Sequence, residues 1–132
     1  MLIYVSNPDT DFAPTITSGP PAITTIGAGA NFSCTVSAKP TANVFWTEGD
    51  SPHRMDILTP ENLDQKDWVI TYKILEDGTV EAQLHIRRTT EVDFLSTFHC
   101  FAVNDMGQAK QMFKLDIHLT SSSYKNLLYR LL

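Results

Sequence analysis

The two cysteines are the residues whose spacing most directly limits the chemistry of this chain. Cys34 and Cys100 are 66 positions apart. A CxxC redox pair or a compact zinc knuckle needs cysteines that are only a few residues apart, so both kinds of site are excluded. One long-range disulfide bond or two buried thiols remain as interpretations.

The other reactive residue types form no recognisable catalytic or metal-binding motif. The sequence has no Gly-x-Ser-x-Gly elbow, no phosphate-binding loop and no convincing arrangement of Ser, His and Asp. His53 stands in a polar stretch with Asp50 and Asp56, but this spacing matches no known set of metal ligands. We therefore expect no enzyme activity, no metal site and no cofactor.

A three-residue motif suggests a covalent modification instead. Asn31-Phe32-Ser33 fits the Asn-x-Ser/Thr acceptor of N-linked glycosylation. The motif is short and also arises by chance. Asn31 is therefore a glycosylation candidate, and it favours an extracellular or cell-surface location reached through the secretory pathway.

Length, composition and charge exclude several classes of function. At 132 residues, with 42% hydrophobic and 19% charged residues, the chain has the size and composition of one packed soluble domain. Its formal charge is −5, and its Lys and Arg residues are scattered rather than clustered as in a nucleic-acid binder. No apolar run approaches the roughly 20 residues of a membrane-spanning helix. We expect neither a nucleic-acid partner nor direct membrane insertion of this segment.

The polarity of the chain alternates with the period of β-strands. In residues 30–37, Phe32, Cys34 and Val36 share one face and polar residues occupy the other, which predicts a half-buried strand. Further strands are predicted at 43–48, 68–75, 79–87, 97–103 and 111–119. Residues 1–21 are predicted to be an extended leading segment with a turn near its end.

Turn and cap residues separate these strands. Asp77-Gly78 predicts a tight hairpin, because glycine accepts a positive φ. Thr90 and Asp93 predict a single capped helical turn. About seven short strands without a long helix predict an all-β sandwich.

The strand residues resemble those of the intermediate-set immunoglobulin domain. The matching residues are Cys34, Trp46, Leu84, Ile86, Asp93 and the run from Phe98 to Gly107. The resemblance covers residues 14–119 and implies an immunoglobulin-like two-sheet Greek-key sandwich. It further implies a disulfide bond between Cys34 and Cys100, with a core of Trp46, Leu84, Ile86 and Phe98.

Two positions depart from the pattern of that family. Phe98 stands where tyrosine is usual, so the hydroxyl hydrogen bond at this corner is missing, at a cost of about 1 kcal/mol. The segment from Asp93 to Cys100 is one residue longer than usual. This longer spacing is similar to that of membrane-proximal immunoglobulin domains in the interleukin-1 receptor family.

The residues between the core positions predict a protein interface. If Trp46 and Cys100 point inward, their neighbours point outward from the same sheet, and a register that pairs Phe101 with Met112 predicts an exposed apolar patch. The outward set is Phe45, Thr47, His99, Phe101, Val103 and Met112, and all of these except Thr47 are interface candidates. The patch would not be available for binding if a loop residue such as Arg54, or a neighbouring domain, covered it.

The resemblance divides the chain into three segments and favours binding over catalysis. Residues 1–13 are predicted to be an N-terminal extension, 14–119 the immunoglobulin-like domain and 120–132 a C-terminal tail or linker. The leading expectation is an extracellular recognition module of a cell-adhesion or cell-surface receptor protein, whose partner is either a different protein or a second copy of the chain. The alternatives are a cytokine-binding ectodomain resembling the interleukin-1 receptor family and an intracellular structural domain of a muscle filament protein, whose cysteines would stay reduced.

Overall fold

The structure is a computed structural model that describes residues 10–51, 53–56 and 67–118. These ranges contain nine strands and one short helix. The elements are β1 (Phe12–Ser18), β2 (Ile23–Thr24), β3 (Ala30–Lys39), β4 (Asn43–Glu48), β5 (Trp68–Ile74), β6 (Val80–Ile86), α1 (Glu91–Leu95), β7 (Phe98–Asn104), β8 (Gly107–Phe113) and β9 (Asp116–Ile117). The predicted all-β class is confirmed.

The strands form two packed layers. An antiparallel four-stranded sheet has the order β1-β3-β6-β5, and an antiparallel three-stranded sheet has the order β4-β7-β8. The short strands β2 and β9 pair in parallel. A disulfide bond joins Cys34 on β3 to Cys100 on β7 and so connects the two sheets. This is the predicted immunoglobulin-like sandwich.

The core lies between the inward faces of the two sheets. Phe32 on β3 packs against Phe98 on β7, with ring centroids 5.3 Å apart. Trp46 stacks on Phe32 at 6.5 Å and is fully buried. The predicted core residues Trp46, Leu84, Ile86 and Phe98 are each at most 4% exposed.

Two local motifs form as their residues predict. In the hairpin between β5 and β6, Gly78 has a φ of 86° and the Thr79 amide donates a hydrogen bond to Asp77 Oδ1 at 2.9 Å. At the start of α1, the Thr90 amide donates to Asp93 Oδ2 at 2.7 Å. The helix is five residues long, and no helix among the described residues is long and apolar enough to span a membrane.

The predicted last strand and its register are wrong. The turn between β7 and β8 contains only two residues, Asp105 and Met106, because Asn104 pairs directly with Gly107. The Met106 amide donates a hydrogen bond of 2.9 Å to Asn104 Oδ1 within this turn. β8 therefore begins at Gly107 and ends at Phe113, and the separate strand β9 follows. This tight turn pairs Phe101 with Lys110 rather than with Met112.

The described residues include the first strand of the domain but not its predicted end. β1 begins at Phe12, within the predicted leading segment, and pairs with β3. The predicted domain end at residue 119 and the predicted tail 120–132 lie outside the described residues.

Candidate protein interface

The outer side of the three-stranded sheet, here called the β4–β7–β8 face, brings two aromatic rings together. Phe45 on β4 pairs directly with Phe101 on β7, with centroids 5.2 Å apart and ring planes within 7°. The His99 ring lies 6.1 Å from that of Phe101. This pairing follows from the core, because Trp46 and Cys100 oppose each other one residue further along.

Cations flank this aromatic stack on both sides. The Arg54 guanidinium lies 5.3 Å from the centre of the Phe45 ring, and Lys110 Nζ lies 5.7 Å from that of Phe101. Both distances allow cation–π attraction. Phe45 and Phe101 are consequently half-buried.

The predicted exposed apolar patch is therefore only partly present. Val103 and Met112 are exposed, at 39% and 56%, but they lie away from each other along the sheet. Val103 pairs with Gln108, and Met112 pairs with His99. Lys110, rather than the predicted Met112, lies beside Phe101.

A returning loop borders the face along β4. The Met55 amide donates to the Trp46 carbonyl at 2.8 Å, and Trp68 Nε1 donates to the Met55 carbonyl at 3.1 Å. Arg54 also pairs with Asp56 through two hydrogen bonds of 3.0 and 2.7 Å. Thr47 was predicted to point outward, but it is only 3% exposed. It follows Trp46, the residue of β4 to which the returning loop is hydrogen-bonded.

Charge is distributed unevenly across the face. Lys110 and the nearby Lys114 lie on the β8 side, and neither forms an ion pair with a described residue. On the opposite side, the turn after β4 carries Asp50, and the returning loop carries the Arg54–Asp56 pair. An aromatic centre thus lies between a basic flank and a flank with an excess of acid.

The histidine at the centre of the face is held in its neutral form. Burial lowers the pKa of His99, and the charge of Lys110 lowers it further. Asp50 opposes this shift. His99 therefore presents an uncharged ring next to Phe101 at neutral pH.

The remaining histidines and acids do not gather into a metal site within the described ranges. His85 lies on β6 in the four-stranded sheet, and its Nδ1 is 2.6 Å from Asn31 Oδ1. His99 belongs to the other sheet. No group of three or more His, Cys, Asp or Glu side chains in the described residues could hold a metal ion.

A cavity of about 460 Å³ opens at one end of the sandwich, next to α1. Its walls include Met55, Trp68 and Phe98 together with the half-buried Glu48. Burial raises the pKa of Glu48, the charge of Asp93 raises it further, and a hydrogen bond with Ser96 opposes the shift.

Sequence comparison identifies the family. The family model for the immunoglobulin I-set domain matches residues 14–117. The chain belongs to the immunoglobulin I-set family. Domains of this family are typically non-enzymatic and generally mediate contacts between proteins. No curated protein sequence matches the chain.

Solved structures of titin share the fold of this I-set domain. A chimeric titin Z1Z2 functionalised with an exogenous decorin peptide is 24% identical, with a TM-score of 0.60 over 83% of this chain and 49% of that one. A second titin structure is 19% identical, with a TM-score of 0.60 over 82% and 52% of the two chains. A titin Ig tandem is 21% identical, with a TM-score of 0.53 over 84% and 50%. The chain spans about half the length of these structures, and the likeness concerns the fold alone.

The structure brings some of the predicted interface residues together and separates others. Phe45, His99 and Phe101 form one cluster, whereas Val103 lies toward the turn after β7. Lys110 was missed as a face residue because the predicted register was shifted. A turn around Asn104–Gly107 was predicted and is present, and counting the pairs back from it places Lys110 beside Phe101.

Proposed function

We propose that this I-set domain is an extracellular recognition module of a cell-adhesion or cell-surface receptor protein, and that its β4–β7–β8 face binds a second copy of the chain. The observation that carries the proposal is the Phe45–Phe101 stack on the outside of the sandwich. Aromatic side chains with neighbouring apolar groups are enriched in the cores of protein interfaces.

The composition of the face supports burial against another protein. The rings of Phe45 and Phe101 are packed in place by Arg54 and Lys110, so little side-chain freedom remains to be lost on binding. Met112 is 56% exposed next to this cluster and adds apolar area. A partner that covers the stack removes this apolar surface from water.

The distribution of charge favours a second copy as the partner. In a two-fold pair the same surface is used by both chains. A two-fold axis lying between the faces and parallel to the strands places the β8 flank of one copy over the β4 flank of the other. Lys110 then faces the flank on which Asp50, Asp56 and Arg54 together carry a net negative charge, and the opposite net charges of the two flanks attract twice in each pair.

The disulfide bond supports an extracellular location. Bonds such as that between Cys34 and Cys100 persist in oxidising compartments and are rare in the cytosol. The glycosylation motif at Asn31 points in the same direction.

The fold shared with titin favours a second candidate, an intracellular structural domain of a muscle filament protein. This candidate predicts that Cys34 and Cys100 stay reduced in the cell. Alkylation of free thiols in denaturant at the moment of cell lysis, followed by intact-mass measurement, separates the two candidates, because denaturation exposes Cys34 and Cys100, which are buried in the folded domain. Two alkylated cysteines support the structural role, whereas an unmodified pair supports the extracellular one.

A cytokine-binding ectodomain is the third candidate, favoured by the longer segment from Asp93 to Cys100. In the structure this segment contains most of α1 and the residues that lead into β7. This candidate predicts binding to a soluble ligand without self-association.

Light scattering across a range of concentrations tests the proposal on protein secreted from a eukaryotic host. The wild-type mass is expected to rise from monomer to dimer, and Phe101→Asp is expected to remain monomeric because it places a charge in the aromatic stack. Val69→Asp is the matched control, since Val69 is exposed on β5 in the opposite sheet. It is expected to dimerise like the wild type, with circular dichroism confirming the fold of both variants. A wild-type protein that is monomeric at every concentration would overturn pairing through this face.

A further inference from the structure

Asn31 lies on the outer face of the four-stranded sheet in a defined orientation. It is exposed on β3 and pairs with His85 on β6. Asn31 Oδ1 accepts a hydrogen bond of 2.6 Å from His85 Nδ1 in the tautomer that carries its proton there. The other polar atom, Nδ2, is the atom to which a glycan attaches, and it makes no hydrogen bond to a described residue.

A groove of about 330 Å³ opens directly beside this asparagine. Its residues are mostly small or apolar, namely Pro20, Pro21, Ala22, Ile23, Gly29, Ala30, Asn31 and Ser33. Ile23 is 62% exposed.

We infer that Asn31 carries an N-linked glycan whose first sugar lies in this groove and shields the outer face of the four-stranded sheet. A pyranose ring has an apolar side formed by its C–H groups and polar edges formed by its hydroxyls. The apolar side lies against Pro21 and Ile23, and the hydroxyl edges face water and the polar part of the groove, which includes Ser33. Asn31 itself borders the groove, so a sugar on Nδ2 starts at its mouth.

The acceptor motif must be modified before the sheet is complete. In the folded domain the Gly19 amide donates to the Ser33 carbonyl at 2.9 Å, and the Ser33 hydroxyl packs against Gly19 without room for a Cβ. Phe32, the middle residue of the motif, is 2% exposed in the core. The triplet is therefore accessible to a modifying enzyme only in a chain that has not yet folded.

The glycan has a consequence for recognition by this domain. A sugar chain rooted at Asn31 covers one of the two sheet surfaces with a hydrated, mobile layer. The β4–β7–β8 face is on the opposite side of the sandwich and stays open. The inference rests on the secretory route of the proposed function but not on pairing through that face.

Intact-mass measurement on protein secreted from a eukaryotic host tests attachment. Asn31-Phe32-Ser33 is the only Asn-x-Ser/Thr motif in the sequence. The wild type is expected to show a glycan mass that peptide N-glycosidase removes, and both Asn31→Gln and Ser33→Ala are expected to show the bare mass. Asn43→Gln, an exposed asparagine outside the motif, keeps the glycan mass. A single unmodified wild-type species would overturn the inference.

Hydrogen exchange then tests the position of the sugar. Amides in residues 19–31 are expected to exchange more slowly in the glycosylated wild type than in Asn31→Gln, while those in 98–113 exchange equally in both. Equal exchange in residues 19–31 would show that the sugar does not lie in the groove. Light scattering on the same two proteins keeps this test separate from the proposed function, because pairing through the opposite face is expected to be the same with and without the glycan.

Discussion

Phe45 and Phe101 lie directly opposite each other on β4 and β7, with parallel rings on the outside of a sandwich whose core is filled from the other side of the same strands. The residues next to them, Trp46 and Cys100, form the core pair that fixes this register. The packing of the core and the geometry of the surface stack are therefore set by the same strand pairing. A surface of this kind keeps its shape without its partner, which lowers the entropic cost of binding.

We predict that His99 makes the domain less stable in mild acid. Burial and Lys110 hold the pKa of His99 below its usual value of 6.5, so the unfolded chain takes up this proton first as the pH falls. Stability is then lost as the pH drops below about 6.5. Urea unfolding should show that the wild type loses more stability than His99→Gln between about pH 7.5 and about pH 5.5, by less than about 1 kcal/mol because the group is partly hydrated. Identical losses in the two proteins would contradict the shift.

Glu48 gives the opposite dependence on pH. Burial first, and then the charge of Asp93, raise the pKa of Glu48 above its usual value of 4.5. The folded state therefore disfavours the charged carboxylate, and stability is lost as the pH rises from about 4.5 through the raised value.

Glu48→Gln is accordingly expected to be more stable than the wild type at neutral pH. The gain should be less than about 1 kcal/mol, because Glu48 is only half-buried, and it should vanish below about pH 4. Thermal or urea unfolding at both pH values measures it. Glu81→Gln, on the outer face of β6, controls for the general change in net charge. A neutral-pH loss in Glu48→Gln would mean that the carboxylate makes a stabilising contact as an anion.

A side chain at Gly78 is expected to destabilise the domain. Its φ of +86° is strained for other residues, and a Cβ there would lie 2.8 Å from Thr41 Oγ1. Gly78→Ala should lower the free energy of unfolding by about 1–2 kcal/mol. Gly27 is the matched control, because its φ is +93° but no atom lies within 4 Å of a Cβ built there.

Comparison of the two glycine variants separates backbone strain from collision. Gly27→Ala should show the strain alone and therefore the smaller loss in urea unfolding. Adding Thr41→Ala to Gly78→Ala should recover the difference between them. Equal losses at the two glycines would show that the Thr41 side chain moves away without cost.

The period-two alternation of the sequence was sufficient to predict which side chains of β3 point into the core. Phe32, Cys34 and Val36 point inward along β3 because one face of this strand is buried and the other is hydrated. The hairpin at Asp77-Gly78 and the helical turn at Thr90 depend on contacts within a few residues, so they too could be predicted locally.

The register of β8 could not be predicted in this way. Alternation allows a strand to shift by two residues without changing which side chains point inward, so the length of the connecting turn decides the register. The two-residue turn after Asn104 places Lys110 beside Phe101. Strands β2 and β9 have two residues each, too few for any periodicity to be detected. The burial of Thr47 depends on the returning loop, which alternation along β4 does not describe.

The pairing of two copies through the β4–β7–β8 face is tested most directly by exchanging charges between its flanks. Light scattering is measured on Lys110→Glu alone, on Asp50→Lys alone and on their equimolar mixture. Each variant alone brings like charges together twice in a two-fold pair and should be monomeric where the wild type is dimeric. In a pair formed by one chain of each variant, one contact keeps the native charges and the other has both charges reversed. Both contacts are therefore attractive, and the dimer mass should return. A mixture that stays monomeric, or single variants that dimerise like the wild type, would contradict the proposed pairing.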